Sequence, residues 1–325
     1  MKHLLLHADT FARIEPALKP FADRISPLVL TDQADMQHPW GESEADGVLS
    51  FGTQDAFFSP AAREYFKMVL SFENLDWFQS SAAGTEHPML QAIGKNARQY
   101  TACHAQSDAI AEWVLWAGFD YFQKGAARRQ AQADAAWTRI AFRELSSTHW
   151  LVLGFGGIGQ AVGQRLKALG AEVTAVRRSG GASPHADRII TMEDLPAWLG
   201  KADAVLLCLP HTPETENVAD TAFFASMKPD SLFLNVGRGA LVDEAALLAG
   251  LDAGHPAHAA LDVLRVEPQP EDGPFWARDD VTLTAHISAA THGSLLRTDA
   301  IFLENLERYL AGKPLEYLIN PDTFA

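Results

Sequence analysis

The sequence predicts an α/β protein with two doubly wound parallel sheets, and three observations lead to that class. Short apolar runs alternate with helical patterns along the whole chain, which is typical of parallel strands joined by crossover helices. The chain has 325 residues, well above the roughly 150 residues of a typical domain, so we expect two domains. The chain has a glycine-rich turn at residues 154–159, between an apolar strand and a helix. Such a turn is typical of a doubly wound sheet.

The composition is that of a folded protein with an acidic surface. Hydrophobic residues make up 47% of the chain and charged residues 21%, which argues against extensive disorder. The formal charge is -15, from 26 Lys and Arg against 41 Asp and Glu, so a broad nucleic-acid-binding face is disfavoured. We expect no export signal and no membrane span. The two distant cysteines, Cys103 and Cys208, favour a reduced, cytoplasmic protein.

The first hundred residues predict one α/β unit. Apolar runs predict four strands, at residues 3–6, 28–30, 47–51 and 77–80. A helical pattern at residues 60–69 opens with Pro60, a residue favoured at the first position of a helix.

A longer apolar helix is predicted at residues 108–122, with Ser107 as its N-cap. The positions expected to face a core are Ile110, Val114, Leu115 and Phe119.

A second series of strands and helices follows a polar stretch at residues 123–147. Its six predicted strands are residues 150–153, 172–176, 204–209, 232–236, 259–263 and 281–284. A last helix is predicted at residues 294–310. We place one domain at residues 1–102 plus 293–325 and the other at residues 103–292.

The run Trp150-Leu-Val-Leu-Gly154-Phe-Gly156-Gly-Ile-Gly159 has the pattern that holds a pyrophosphate. Gly154 allows a tight turn, Gly156 lets the backbone approach the phosphates, and Gly159 lets the helix pack on the strand. The N-terminus of the following helix adds amide N–H groups and the positive end of its dipole. We therefore predict a Rossmann-like dinucleotide site whose loop residues are Gly154, Phe155, Gly156, Gly157, Ile158 and Gly159.

The residues after the next strand, Arg177, Arg178 and Ser179, indicate which dinucleotide binds. A site that prefers NAD usually has an acidic residue here, which bonds the ribose 2′-hydroxyl. Two guanidinium groups and a hydroxyl would instead hold a 2′-phosphate through charge-assisted hydrogen bonds. We predict NADP(H) as the preferred cofactor, with NAD(H) possible. The alternative is that both arginines are solvated surface residues.

Three further strand ends carry residues suited to the reduction of a 2-oxo acid, because ligands bind at the C-terminal ends of strands in such sheets. Arg238 is the candidate cation for the carboxylate and carbonyl. His286 is the candidate proton donor, and Glu267 would keep it protonated. Each residue alone has a structural explanation, as a loop cation, a buried histidine or an exposed turn residue. Together, downstream of a nucleotide loop, they favour catalysis.

No metal site is expected. His255 and His258 are three residues apart, but Pro256 lies between them and no ligand motif accompanies the pair.

The ordered motifs of the chain resemble those of the D-isomer-specific 2-hydroxyacid dehydrogenase family. The matching pieces are residues 74–86, 109–115, 143–145, 209–215, 235–239, 262–268 and 284–287. The resemblance implies that residues 1–102 plus 293–325 form the substrate domain and residues 103–292 the dinucleotide-binding domain. It also implies hydride transfer in an interdomain cleft and a homodimer built largely through the dinucleotide-binding domain.

Individual roles follow from the same resemblance. Arg238 resembles the substrate-binding arginine, and Glu267 and His286 resemble the acid-base pair. The backbone amides of Ala83 and Gly84 would hold the substrate carboxylate. Other positions implied to contact the cofactor are Pro210, Thr212, Thr215, Val236, Gly237 and Asp262, the last beside the nicotinamide amide.

The chain departs from the family pattern near the substrate. Residues 83–86 read Ala-Gly-Thr-Glu where a Gly-Val-Asp pattern is commoner, residues 98–100 replace a usual glycine, and Trp113 stands where histidine is frequent. Substrate identity is therefore open.

The leading hypothesis is NADPH-dependent reduction of a small 2-oxo acid, such as glyoxylate or hydroxypyruvate, to the D-2-hydroxy acid. The alternatives are NAD-dependent oxidation of a bulkier or phosphorylated D-2-hydroxy acid, and a non-catalytic dinucleotide sensor similar to corepressor relatives of the family.

Overall fold

The computed structural model describes residues 1–178 and 180–324, which fold into two compact units. One unit contains residues 1–106 with the C-terminal segment from Thr291, and the other contains Ser107–Ala290. The first limit lies a few residues beyond the expected 102, because the stretch in between is tied to the first unit. Arg297 Nε donates to Ala105 O at 2.9 Å, and Cys103 N donates to Ala82 O at 3.3 Å.

Thirteen strands and eleven helices occur in the described residues. The strands are β1 (Lys2–His7), β2 (Ile25–Leu30), β3 (Met36–Gln37), β4 (Val48–Gly52), β5 (Leu75–Ser80), β6 (Gln99–Thr101), β7 (His149–Leu153), β8 (Glu172–Val176), β9 (Arg188–Ile190), β10 (Ala204–Leu207), β11 (Leu232–Asn235), β12 (His258–Leu261) and β13 (Val281–Leu283). The helices are α1 (Ala8–Leu18), α2 (Gln54–Phe57), α3 (Ala62–Ser71), α4 (Pro88–Asn96), α5 (Ser107–Phe122), α6 (Gly125–Ala133), α7 (Gly157–Ala168), α8 (Pro196–Leu199), α9 (Thr221–Ser226), α10 (Glu244–Ala253) and α11 (His292–Leu310). Three of these strands, β3, β6 and β9, are not predicted from the sequence, because they have only two or three residues each and show no apolar run.

The first unit is built on a six-stranded sheet in the order β3-β2-β1-β4-β5-β6. All its strands are parallel except the edge strand β3, which pairs antiparallel with β2. Along β1, Leu5 packs into one core while Leu4 and Leu6 pack into another, because successive strand residues point to opposite faces. Both faces of the sheet are therefore covered.

The C-terminal helix α11 completes one of these cores. The Phe302 ring stacks on Phe51 with centroids 4.1 Å apart and on Trp77 with centroids 5.4 Å apart. Residues from both ends of the chain thus share the core of the first unit.

The second unit is built on a seven-stranded, all-parallel sheet in the order β13-β12-β11-β10-β7-β8-β9. Trp150 and Val152 of β7 pack into one core, and Leu151 and Leu153 pack into the other. The chain order reverses between β7 and β10, which is where ligands bind in open α/β sheets. The predicted class of two α/β domains with doubly wound, largely parallel sheets is confirmed.

Two expectations for helix α5 are wrong. The helix begins at Ser107, so Ser107 is its first residue and not the N-cap before it. Ile110 and Val114 are buried as expected, but 36% of Phe119 is exposed. The reason is that α5 packs against the core through the face of Ile110, Val114 and Ala117, and Phe119 lies outside that face. Among the described helices, none has the length and apolar character needed to cross a bilayer.

Candidate active site

The glycine turn after β7 has the geometry that a pyrophosphate needs. Gly154 has φ of +95°, and a Cβ there would lie 2.6 Å from Cys208 O. A Cβ on Gly159 would lie 2.1 Å from Gly154 O, so the helix can approach the strand only without one. By contrast, no atom lies within 4 Å of the position that a Cβ of Gly156 would take. The backbone at Gly156 is therefore open to a ligand, and these residues fit a dinucleotide phosphate group.

The remaining residues of this turn contribute to packing. Gly157 is the first residue of α7, a helix of 12 residues. Phe155 is buried in the core and Ile158 packs against it. Only the backbone of these residues is therefore suited to contact a ligand.

Arg177 and Arg178 follow directly after β8, on the same edge of the sheet as the glycine turn. The Arg177 guanidinium donates to Gly180 O at 2.9 Å, and Arg178 is exposed. The pKa of Glu214 is lowered by a hydrogen bond from Thr212 and, more weakly, by the charge of Arg178. This edge therefore brings a cation toward the loop after β10. The third predicted residue of the group, Ser179, lies outside the described residues.

The loop after β10 is closed by the hydroxyl of Thr215. Thr215 Oγ1 accepts a hydrogen bond from Thr212 N at 2.8 Å and donates to Pro210 O at 2.8 Å. Thr215 thus shapes the loop that contains Pro210 and Thr212, the residues expected to lie along the cofactor.

The buried side chain of Asn235, at the end of β11, fixes the loop that presents Arg238. Asn235 Oδ1 accepts from Gly237 N at 3.0 Å, and Asn235 Nδ2 donates to Arg238 O at 3.0 Å. The Arg238 guanidinium donates to Gly237 O at 2.7 Å, and the Val236 side chain is buried. Sequence reasoning gave Asn235 no role. An asparagine that ends an apolar strand two residues before a glycine is the signal that could have identified this turn.

Glu267 and His286 form a hydrogen-bonded pair. His286 Nδ1 lies 2.9 Å from Glu267 Oε2, and the other carboxylate oxygen accepts from Leu264 N at 2.9 Å. About half of His286 is exposed, 53% of its side chain, against 38% for Glu267. The structure therefore brings the predicted acid and its carboxylate partner together at an accessible surface.

The contact between His286 and Glu267 moves the pKa values of the two groups in opposite directions. The hydrogen bond that His286 donates to Glu267 raises the pKa of His286, against the opposing effects of partial burial and of Arg238. Burial would raise the pKa of Glu267, but the hydrogen bonds from His286 and Leu264 N outweigh it and leave that pKa lowered. The charge of Arg238 also lowers the pKa of both groups, and all three predicted catalytic residues belong to the second unit.

Asp262 holds the segment that carries His286. Its side chain is only 1% exposed. Its carboxylate accepts from Thr284 Oγ1 at 2.6 Å, from Ile287 N at 2.9 Å, and from both the amide and the hydroxyl of Ser288. The Asp262 carbonyl accepts from His286 N at 2.8 Å, and His286 has a positive φ of 53°. These contacts hold His286 in a backbone conformation that is costly for a residue with a side chain.

Ala83 and Gly84 belong to the first unit, after the C-terminal end of β5. Among the hydrogen bonds of the described residues, neither the Ala83 nor the Gly84 amide is a donor. Ala83 is exposed and Gly84 half-buried. Both amides are thus available to an anionic ligand, as their predicted role requires.

Two other features lie apart from these groups. Within residues 1–178 and 180–324, no three His, Cys, Asp or Glu side chains are grouped in a way that could hold a metal ion. An open cavity of about 900 Å³ lies along residues 139–147, and none of the predicted site residues lines it.

Comparison with known families gives a match over more than half of the chain. The family model described as "D-isomer specific 2-hydroxyacid dehydrogenase, NAD binding domain" matches residues 117–288. That range contains the glycine turn, Arg238, Glu267 and His286.

Curated relatives include two named enzymes. Glyoxylate/hydroxypyruvate reductase B of Citrobacter koseri is 37% identical over 172 residues, which are 52% of this chain and 53% of that protein. D-3-phosphoglycerate dehydrogenase of Mycobacterium leprae is 34% identical over 61% of this chain and 38% of that protein. The chain thus aligns with about half or less of the length of these enzymes.

Solved structures match over the full chain. A D-isomer specific 2-hydroxyacid dehydrogenase from Xanthobacter autotrophicus Py2, in complex with NADPH and MES, has a TM-score of 0.75 at 26% identity and covers 100% of this chain and 99% of its own. A family protein from Aeromonas salmonicida subsp. salmonicida has a TM-score of 0.77 at 27% identity, with 99% of each chain covered.

Proposed function

The chain belongs to the D-isomer specific 2-hydroxyacid dehydrogenase family, and from this premise we propose that it reduces a small 2-oxo acid to the D-2-hydroxy acid. The family expected from the motifs is confirmed, as is its character as a nicotinamide-dependent oxidoreductase family. The observation that carries the proposal is the 2.9 Å hydrogen bond between His286 Nδ1 and Glu267 Oε2, beside the charge of Arg238.

These side chains would supply the proton and the positive charge that reduction of a carbonyl requires. Glu267 accepts the hydrogen bond of Nδ1, so the Nε2–H of the imidazolium is left to donate its proton to the carbonyl oxygen. Arg238 binds the carboxylate and polarises the carbonyl. A nicotinamide dinucleotide, when bound, supplies the hydride for the carbonyl carbon. His286 is left neutral after the proton transfer and still bonded to Glu267.

The proposed substrates are glyoxylate and hydroxypyruvate. Their support is the similarity to glyoxylate/hydroxypyruvate reductase B of Citrobacter koseri and of Escherichia fergusonii, at 37% and 36% identity over half of the chain. The exposed Ala83 and half-buried Gly84 amides of the first unit suit a small carboxylate.

The proposed cofactor is NADPH, with NADH used less well. Its support is that Arg177 and Arg178 directly follow β8, the strand after which a dinucleotide fold contacts the ribose 2′ position. One charge-assisted hydrogen bond to a 2′-phosphate would favour the phosphorylated cofactor by about 10- to 150-fold. The NADPH complex of the Xanthobacter protein supports this choice. Comparable kcat/KM values for NADPH and NADH would contradict it.

One assay tests the reaction. NADPH absorbance is followed with purified protein against glyoxylate, hydroxypyruvate, pyruvate and bulkier or phosphorylated 2-oxo acids. We expect the highest kcat/KM with glyoxylate and hydroxypyruvate. Turnover limited to bulkier or phosphorylated acids with NADH would favour the second enzyme hypothesis. Tight NADPH binding without turnover of any acid would favour a sensor.

The proposed assembly is a homodimer formed through the second unit. Its support is a set of exposed apolar side chains on α5 and the segment that follows α6, of which Trp137 is 99% exposed. The others are Trp116, Phe119 and Phe142. Light scattering after size exclusion should give twice the chain mass, and Trp137→Glu should shift the population toward the monomer. A monomeric wild-type protein at micromolar concentration would contradict the proposal.

A further inference from the structure

Arg265 connects three loops of the candidate active site. Its Nη2 donates to Ala240 O at 3.1 Å, to Val242 O at 3.0 Å and to the side-chain oxygen of Asn217. Its Nη1 lies 3.6 Å from the Glu216 carboxylate. The two carbonyls follow Arg238, and Asn217 and Glu216 end the loop after β10. Arg265 itself precedes Glu267 by two residues.

The backbone on either side reinforces this connection. Arg265 N donates to Glu244 Oε1 at 2.7 Å, at the start of α10. A Cβ on Gly239 would lie 1.9 Å from the carbonyl carbon of Leu264, so the segment carrying Arg238 and the segment carrying Glu267 run against each other. Leu264 N in turn donates to Glu267. A movement of Arg265 is therefore transmitted to both catalytic segments.

An isolated exposed ion pair would not support a role of this kind, because such pairs contribute little. Arg265 is different in its acceptors: main-chain carbonyls and an amide oxygen, which fix the path of a loop. Its side chain is 35% exposed, and its planar guanidinium can serve several acceptors at once, which a lysine ammonium does less well. The described contacts thus make it the side chain shared by the loops of residues 210–217, 238–242 and 264–267.

We propose that Arg265 is a positioning residue, which holds Glu267 in hydrogen-bonding contact with His286 and sets the Arg238 loop and the loop after β10 against it. The kinetic consequences rest on the proposed reduction of 2-oxo acids. The positioning of the Glu267–His286 pair does not, because it can be measured without turnover.

The test compares Arg265→Met and Arg265→Lys with the control Arg278→Met. Arg278 belongs to the same unit and pairs with Asp280 and Asp252, outside the three loops. NMR titration of the His286 imidazole reports its pKa in each protein, and NADPH binding is followed by fluorescence. Steady-state assays with the best 2-oxo acid give kcat and KM.

We expect the His286 pKa to fall in Arg265→Met, because Glu267 is no longer held against the ring. The charged groups that act on His286 are Glu267 and Asp262, which raise its pKa, and Arg238, which lowers it. Loss of a nearby cation alone would raise this pKa, so the sign separates positioning from a simple charge effect. We also expect kcat/KM to fall by about 10- to 100-fold, weaker NADPH binding, an intermediate Arg265→Lys and a control like wild type.

The His286 pKa decides the outcome. An unchanged or raised value in Arg265→Met overturns the proposal, as does an equal fall in the control. If the wild-type protein reduces none of the acids but the pKa falls only in the Arg265 variants, the positioning role stands and the proposed reaction fails.

Discussion

At the scale of single residues, the candidate site depends on the hydrogen bond between His286 and Glu267. Glu267 raises the pKa of His286 above its ordinary value of 6.5 through their hydrogen bond. In the proposed reduction, the imidazolium is the form that would donate a proton to the 2-oxo acid. Reduction should therefore be fastest below the raised pKa and decline as pH rises through it, which a pH profile of kcat/KM would show.

Glu267→Gln should move that decline to lower pH. The amide keeps the shape of the side chain but lacks the charge that raises the His286 pKa, so less of the ring is protonated near neutral pH. A profile that stays in place, or moves to higher pH, would contradict the assignment of the pair.

His286→Gln should lower kcat by about 10²- to 10⁴-fold, because the proton donor is lost. NADPH affinity should change little, since the glycine turn lies at the end of a different strand. Residual activity close to that of wild type would mean that another group donates the proton. His258→Gln is a suitable control, because His258 is bonded to Thr282 in the sheet.

The candidate residues could be predicted because each stands alone at a strand end with a recognisable chemistry. The contacts that hold these residues in place could not be predicted from the sequence. The Asp262 carboxylate is shared among Thr284, Ile287 and Ser288, more than 20 residues away in the chain. Only the parallel pairing of β12 with β13 places those groups side by side.

At the scale of elements, two of the glycines after β7, Gly156 and Gly159, have separable roles. Gly159→Ala should destabilise the protein by about 1 to 3 kcal/mol, because its Cβ would overlap Gly154 O. Gly156→Ala should leave stability largely unchanged, because nothing lies within 4 Å of its Cβ position, but should weaken NADPH binding by about 10-fold or more.

Thermal unfolding and fluorescence titration of these two variants measure the difference. Equal NADPH affinities for Gly156→Ala and wild type would show that the phosphates bind elsewhere. Equal unfolding temperatures for the two variants would remove the distinction between a packing glycine and a binding glycine.

The element pattern follows from sequence wherever a strand is long and apolar. β8 is predicted with its observed bounds, Glu172–Val176, because polar residues flank its apolar run. Short edge strands such as β3 form only because β2 offers free backbone groups, which a single sequence does not reveal. The expectation that Phe119 faces the core is wrong for a related reason. Helical spacing gives the apolar positions of α5, but packing on the sheet determines which of them are covered.

At the scale of the whole molecule, cofactor binding should stabilise the second unit specifically. The glycine turn, the arginine pair, and the loops of Thr212 and Arg238 all belong to that unit. NADPH at about 100 times its Kd adds about 2.7 kcal/mol to the folded state that binds it. Hydrogen exchange should slow at residues 154–160, 177–178 and 210–215, and NADPH should raise Tm.

If NADPH slowed hydrogen exchange mainly at residues 1–106, the dinucleotide would bind the first unit, which would contradict this prediction. NADH at the same concentration is the matched comparison, and we expect a smaller rise in Tm because it lacks the 2′-phosphate.

The return of α11 to the first unit bears on how the protein matures during translation. The strands β1 to β6 are synthesised before the second unit, but Phe302, which stacks on Phe51 and Trp77, is synthesised after it. The second unit, contiguous from Ser107 to Ala290, is complete while the first still has an open core. We therefore expect the nascent chain to expose an apolar surface, of the kind that chaperones bind, until α11 has emerged.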